Sequence, residues 1–454
     1  MKNFKSLNTI LTILTLAVPT MLEQLMQTAV QYIDTAMVGT LGTVATAAVG
    51  STVTVNWLIS STISALSIGF LSHIAQALGG NNTKKAKAIA SQAVLVCVVT
   101  GIFFTIVTLL LSPVVPSLLS VDEAVRDTAS LYFFIIYFPM LPRTAIIIFG
   151  TILRGSGDSK TPMQVGFLVN IINVILNFLF IFPTREVTLL SKTFTIWGAG
   201  MGVTGAATAS AISFVAGGFY ITFALFKSKV SPSGFSFLPN KDILYSCLKI
   251  AFPNMVQRFF TSLGYVIFAS MVNSLGQTAT AAHTIANTVE SAFYIPAYGM
   301  QTAAATLSGN ALGEGSTKKM NSYTSVILKI ELLLMVLSGA LLFIFAPWLV
   351  SFFTEDSSVS ALSVTVLKMV ALSEPIYGVA IIIEGILQGV GETVAPLKFN
   401  IFGMWIIRNM GTFICISFFG MGLVSAWSCM IAHNFFLFVF FSLYYKKGKW
   451  NPLK

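Results

Sequence analysis

Met37-Val-Gly-Thr-Leu-Gly-Thr-Val-Ala-Thr-Ala-Ala48 returns 234 positions later (271 − 37) as Met271-Val-Asn-Ser-Leu-Gly-Gln-Thr-Ala-Thr-Ala-Ala282. The register holds in both directions without a gap. Pro19 falls on Pro253, Met21 on Met255, Ala77-Leu78-Gly79 on Ala311-Leu312-Gly313, and Thr83-Lys84-Lys85 on Thr317-Lys318-Lys319. Gly155, Gly157, Asp158 and Pro162 fall on Gly389, Gly391, Glu392 and Pro396. Self-similarity at one fixed offset marks a duplicated structural unit, so the chain reads as two halves of one architecture.

Composition identifies the solvent. Of 454 residues, 55% are hydrophobic and 9% charged, whereas a soluble domain carries about a quarter charged residues. A hydrocarbon core is crossed by roughly 20 mostly apolar residues. Runs long enough recur at 7–38, 47–78, 88–115, 129–153, 162–182, 202–226, 244–272, 279–312, 322–352, 359–387, 396–419 and 423–445. In lipid each such run must be a helix, because its backbone polar groups have to be satisfied within the segment. The predicted fold is an all-α integral membrane protein of twelve transmembrane helices. The first run outlasts a signal peptide's apolar core of about 7–15 residues and lacks a cleavage pattern, so it counts as a span.

The net charge of +10 collects in alternate loops. One side carries Lys2, Lys5, Lys84, Lys85, Lys87, Arg154, Lys160, Lys227, Lys229, Lys241, Lys318, Lys319, Lys398 and the C-terminal lysines, the other only Arg126, Arg185 and Lys192. Cytoplasmic loops are the ones rich in Lys and Arg, which predicts a multi-pass protein of the cytoplasmic membrane with both termini inside. No basic stripe remains for nucleic acid. Cys97, Cys247, Cys415 and Cys429 lie apart in apolar runs, and His73, His283 and His433 lack ligand spacing, so neither a metal nor a cofactor nor an enzyme's nucleophile is expected.

Each half holds six spans. Residues 1–226 make an N-lobe (spans 1–6), 227–242, with Pro232, Gly234 and Pro239, a cytoplasmic linker, and 243–454 a C-lobe (spans 7–12). Because six is even, both halves enter from the same side and are related by an axis along the membrane normal, with a cleft near the midplane for cargo. Arg154-Gly-Ser-Gly-Asp158 and Gln388-Gly-Val-Gly-Glu392 lack the Lys-Ser/Thr ending of a phosphate loop and recur as repeat mates, so tight turns are predicted. With no ATPase motif, transport would run on an ion gradient or on the solute's own.

Ionisable side chains within spans are costly and mark function. Asp34 in span 1 is the first candidate for a coupling carboxylate. Burial disfavours a charged carboxylate and a neighbouring cation favours it, so one group can exchange a proton for a cationic solute or Na⁺. Asn170, Asn173 and Asn177, spaced by three and four, share a face of span 5 and can bond that carboxylate in either state; the alternative is that Asp34 ends its span and the amides join helices. Glu23 and its mate Gln257, and Asn56 and its mate Glu290, are expected to line the cleft, together with Gln31, Asn170 and Ser210; the alternative is hydrogen bonding between helices. Pro19 lacks the N–H its helix needs and is the expected hinge. Glu374 and Glu384 lie in span 10, Glu331 is expected nearer an interface, and Glu384 would pair with Arg143, Arg258, Lys368 or Arg408.

Pro19-Thr-Met-Leu-Glu-Gln-Leu25, Asp34-Thr-Ala-Met-Val-Gly39, Gln76-Ala-Leu-Gly-Gly80, Arg154-Gly-Ser-Gly-Asp-Ser-Lys-Thr-Pro162 and Gly202-Val-Thr-Gly-Ala-Ala207 resemble the multidrug and toxic compound extrusion (MATE) transporters. Ser274-Leu-Gly276, Ala281-Ala-His283 and Leu312-Gly-Glu314 resemble the second half-signature. The resemblance implies two six-helix lobes and cation-coupled antiport, by H⁺ or Na⁺, of small organic, often cationic solutes by a monomer. It implies a coupling role for Asp34, with Asn173, Asn177 and a span-6 hydroxyl, Ser210, beside it. Where some relatives have a span-7 Glu this chain has Gln257 or Thr261, and Tyr377 stands near a span-10 position that is acidic in some; Glu290 is the acid available to compensate. The rival reading is a flippase for lipid-linked sugars, whose basic cavity Arg143, Arg258 and Arg408 would supply.

Overall fold

The structure, a computed structural model, describes residues 2–118, 123–189 and 192–453; the side chains of 2–7, 31, 32, 35, 43, 44, 47, 51, 53, 54, 118, 124, 187–189 and 192–194 lie outside that description. Helices run Lys2–Gly39 (span 1), Thr43–Gly79 (span 2), Thr83–Leu111 (span 3), Lys160–Phe180 (span 5), Gly202–Lys227 (span 6), Lys241–Asn273 (span 7), Gln277–Gly313 (span 8), Thr317–Ser351 (span 9) and Leu423–Lys447 (span 12). The other three depart from single rods. Span 4 is Glu123–Tyr137 and Met140–Gly155, span 10 is Ser357–Ala371 and Glu374–Val390, and their halves are bent by 50° and 54°. Pro139 caps the second half of span 4 and Pro375 lies in the first turn of the second half of span 10, neither with an N–H to continue the preceding ladder. The two breaks fall at repeat-equivalent positions. Span 11 is α-helical over Val394–Phe402 and Gly411–Ser417, with a π-helical stretch, Gly403–Met410, between.

Among the described residues nine helices are long and apolar enough to cross a membrane, eleven counting the bent pairs. The twelfth is span 8, 37 residues rich in Ala and Thr, which packs against spans 1, 2, 9 and 10 and needs little apolar surface for lipid. Between spans 5 and 6 an antiparallel hairpin, β1 (Pro183–Leu189) and β2 (Lys192–Ala199), replaces the expected loop.

The duplication is written in the backbone. Left-handed turn positions come in mates: Gly42 and Gly276 (φ 102° and 99°), Asn81 and Gly315 (56° and 67°), Gly157 and Gly391 (both 89°). At the last pair the chain closes the preceding helix as a Schellman cap, the N–H of Asp158 reaching the Leu153 carbonyl and that of Glu392 the Leu387 carbonyl, both at 2.9 Å. Asp158 then accepts from the Thr161 N–H (3.0 Å) and Glu392 from the Ala395 N–H (2.9 Å), capping the next helix. These are turns, as their sequences predict.

The lobes meet through spans 1 and 2 of one and spans 7 and 8 of the other. At the end bearing the lysine-rich loops, spans 2 and 8 come to backbone contact. A Cβ on Gly79 would collide with the Asn310 carbonyl, and one on its mate Gly313 with the carbonyl of Gln76, the mate of Asn310. Ser72 Oγ and Gln76 Nε2 donate to the Gly389 carbonyl at 2.9 and 3.1 Å, and Thr306, the mate of Ser72, donates to the Arg154 carbonyl at 3.2 Å. Carbonyls in the last turn of spans 4 and 10 thus find, across the lobe boundary, the donors a helix end lacks.

Candidate functional site

Asp34 stands near the end of span 1, facing span 5. Asn177 Nδ2 donates to its Oδ1 at 2.6 Å. Asn173, with its nitrogen turned to the acid, donates to Oδ1 at 2.8 Å while its oxygen accepts from Ser210 Oγ at 2.9 Å, so both ends of the amide are satisfied. Asn173 and Asn177 are buried, and Asn177 Oδ1 has no partner. The structure therefore brings Asp34, Asn173, Asn177 and Ser210 into one network in the N-lobe. The carboxylate and the bare amide oxygen of Asn177 can hold a proton or a small cation, while the two amide nitrogens donate to the carboxylate. Asn170, on the same helix, stays outside it, its Nδ2 buried without a partner.

A second polar bridge appears once in each lobe. In the N-lobe both carboxylate oxygens of Glu23 receive Arg154 Nη2, at 2.6 and 2.7 Å. Their mates, Gln257 and Gln388, both donate to Glu384 Oε1, at 2.8 and 3.2 Å, with Asn400 3.4 Å from the other oxygen. Two expectations are corrected here. Glu23 is held in an ion pair instead of lining the cleft, and Glu384 is satisfied by amides instead of a base. Arg143 instead donates to Ser60 (2.9 Å), and Lys368 lies over the Phe343 ring.

Between the lobes lies a cavity of about 760 Å³. Its N-lobe wall carries Gln24, Trp57, Ser60 and Ser64; the C-lobe wall carries every charge, from Arg258, Glu290, Glu384 and Arg408, and four tyrosines, Tyr265, Tyr294, Tyr298 and Tyr377. The floor residues Leu71, Ala305 and Gln388 adjoin Ser72, Thr306 and Gly389 of the interlobe contact, so the lysine-rich end is shut. Of the expected cleft residues, Gln257 and Glu290 line this cavity. Asn56 instead accepts from the Tyr137 hydroxyl at 3.4 Å, and Glu23, Asn170 and Ser210 are likewise outside the lining; the side chain of Gln31 lies outside the described residues. Asp34 is not in the lining either. Pro19 lies within a helix that runs on unbroken.

Tyr265, Tyr294 and Tyr298 of the cavity escaped the sequence reading, although the repeat held a signal. Ser60 and Ser64 fall on Tyr294 and Tyr298, and Ile68 on Thr302, one helical face used in both halves. Glu331, expected near an interface, is fully buried; it packs by Gly378, and Glu374 by Gly339, and the oxygens of both acids lack partners. Cys415 and Cys429, apart in sequence, place their sulfurs 4.0 Å apart.

Twelve spans in two repeat-related lobes, around a central cavity closed at one end, define a multi-pass membrane transporter. The MatE family profile matches residues 19–179 and 253–414, and the chain belongs to this family. The probable multidrug resistance protein NorM of Thermotoga maritima is 28% identical over 437 residues, 96% of this chain and 92% of its own. The crystal structure of MATE in complex with MaD3S aligns with a TM-score of 0.88 over 97% of this chain and 96% of that one, at 23% identity. An outward-facing multidrug resistance MATE family transporter of the MOP superfamily aligns at 0.87 over 98% and 96%, also at 23%. These structures share the fold of twelve helices in two lobes. Nothing in these matches favours the flippase reading.

Proposed function

We propose that this protein is a cation-coupled multidrug efflux antiporter, working by alternating access as a monomer in the cytoplasmic membrane with both termini inside. The Asp34–Asn173–Asn177–Ser210 network carries the reading: a carboxylate held by amides in the N-lobe, where H⁺ or Na⁺ exchanges. Because Asp34 is not in the cavity lining, competition between ion and cargo at that carboxylate gives way to coupling along span 1. The same helix carries Glu23 in its ion pair and packs at Met21 against Gly299 of span 8, so an ion bound at Asp34 acts on a helix that forms the lobe interface. The lysine-rich side, by the positive-inside rule, is cytoplasmic, and the cavity is therefore closed to the cytoplasm.

Cargo would be small, flat, hydrophobic organic molecules, cations such as ethidium among them, held by the aromatic wall with Glu290 as the acid. The names of the curated relatives, which speak of multidrug resistance, support this. In proteoliposomes an imposed H⁺ or Na⁺ gradient is expected to drive ethidium out through the wild type, and Asp34→Asn to abolish the gradient dependence. Undiminished gradient-driven efflux in Asp34→Asn would remove the acid from this role. Imposing each gradient alone identifies the ion.

A further inference from the structure

We propose that Arg258 and Arg408 form an anion-binding pole of the central cavity, for small aromatic molecules carrying a carboxylate. The inference deepens the export reading, since it rests on the cavity being the cargo site. Both guanidinium groups line the cavity, and among the described residues neither makes an ion pair or donates to another side chain. Arg408 is only 4% exposed, and its Nε has no acceptor. It lies over the rings of Phe268 (4.1 Å) and Tyr265 (4.8 Å). Ring faces attract a cation but give it no acceptor. A buried, unpaired charge is costly, and an entering anion removes that cost.

The acids of the cavity do not pair with either arginine, although Glu290 lies near enough to Arg408 to interact with its charge. Glu384 is taken by Gln257, Gln388 and Asn400, and Glu290 is beyond ion-pair reach of either guanidinium. His433, 4% exposed with both ring nitrogens unpartnered, adds a further donor beside Arg408. The pole is one-sided, because the repeat mates of Arg258 and Arg408 are Gln24 and Val174. A planar guanidinium matches a carboxylate through two parallel hydrogen bonds. Two glutamates in the same cavity repel a dianion more than a monoanion, which favours a carboxylate over a phosphate. Trp57, Tyr294 and Tyr298 supply the faces for an aromatic body.

One ring with three head groups tests this without a gradient: 2-naphthoate, neutral 2-naphthamide and cationic 2-naphthylmethylamine, titrated against the purified full chain in nanodiscs. The carboxylate is expected to bind the wild type at least about tenfold more tightly than the amide. Arg408→Gln should erase most of that preference, Arg408→Lys should keep part of it, and Arg258→Gln with Arg408→Gln should make acid and amide bind alike. Removing an unpaired buried charge should also leave the melting temperature of Arg408→Gln at or above that of the wild type. Equal binding of the acid and amide by the wild type, or a preference surviving in the double variant, overturns the proposal. The wild-type comparison stands even where a variant fails to fold. Ethidium efflux in the same preparation separates the two readings: efflux lost with the carboxylate preference intact defeats export, and the reverse defeats the pole.

Discussion

Glu23 and Arg154 show how far single residues could be read. Helical spacing puts Asn170, Asn173 and Asn177 on one face, and the family resemblance sets Asn173 and Asn177 beside Asp34; the structure joins these two to the acid and leaves Asn170 out. The partner of Glu23 lies 131 positions away, in a helix whose proximity depends on how the whole lobe packs, and no local pattern carries that. The pair is buried, so Glu23→Ala leaves a guanidinium uncompensated and is expected to cost about 3–5 kcal/mol of stability, measured by unfolding in mixed micelles. The C-lobe suggests the rescue. Glu23→Gln with Gly150→Glu and Arg154→Gln copies Gln257, Glu384 and Gln388, and a Cβ at Gly150 meets only ordinary contacts. That triple variant is expected to regain most of the loss; if it is no more stable than Glu23→Ala, the two bridges are not equivalent. Outside the membrane, Asp356 caps the first half of span 10, accepting from the N–H groups of Ser358 (2.8 Å) and Val359 (3.1 Å), and these bonds and the Ser358 hydroxyl hold its carboxyl below the ordinary 3.8. A depressed value means that the cap is in force above the unfolded value and is lost as pH falls through the folded one. Amide exchange at Ser358 and Val359 should therefore be faster in Asp356→Ala at neutral pH, with the difference closing below about pH 4; a difference independent of pH would remove the carboxylate from the cap.

At the scale of helices, what lipid demands was legible and what neighbours demand was not. Spans facing hydrocarbon must be apolar, so their runs show directly in the sequence. Span 8 is packed on several sides and relatively polar, and only the repeat register marks it as the partner of span 2. The breaks of spans 4 and 10 hide inside apolar runs, although Pro139 and Pro375 were there to be read. The π-helical turns of Gly403–Met410 left no periodic trace. They matter because Gly403 abuts His433 where a Cβ would clash, Met404 fills the space beside Gly264, and Arg408 is aimed at Tyr265 and Phe268. Wide turns of this kind recur at functional sites. Deleting the exposed Ile406 should return the stretch towards α-helical register and swing the residues after it by about 100°. The preference for naphthoate over naphthamide is then expected to fall to that of Arg408→Gln, in a protein still monodisperse on gel filtration. A preference equal to the wild type's would mean that the wide turn does not aim Arg408.

For the molecule as a whole, the contact between spans 2 and 8 decides which way the cavity faces. The lobes are joined at the lysine-rich end by the close approach at Gly79 and Gly313 and by three side-chain-to-carbonyl bonds, from Ser72, Gln76 and Thr306. At about 1 kcal/mol for each such bond, the closure is of a size that ion binding could reverse in the alternating cycle proposed above. Both glycines are needed because the backbones touch, and a side chain at either position has nowhere to go except by parting the lobes. Gly313→Val is therefore expected to open the lysine-rich end. Spin labels at Lys84 and its mate Lys318, each replaced by Cys and both exposed, report the separation of the two loops. Native Cys97 and Cys247 are buried, and Cys415 and Cys429 would be replaced by Ser. The label-to-label distance should lengthen in Gly313→Val, and under the proposed antiport gradient-driven efflux should fall with it, since a protein that cannot close this end cannot complete the cycle. A distance distribution identical to that of the parent would show that the two lobes are not held together at this crossing, and the repeat-related glycines would then owe their close approach to packing alone.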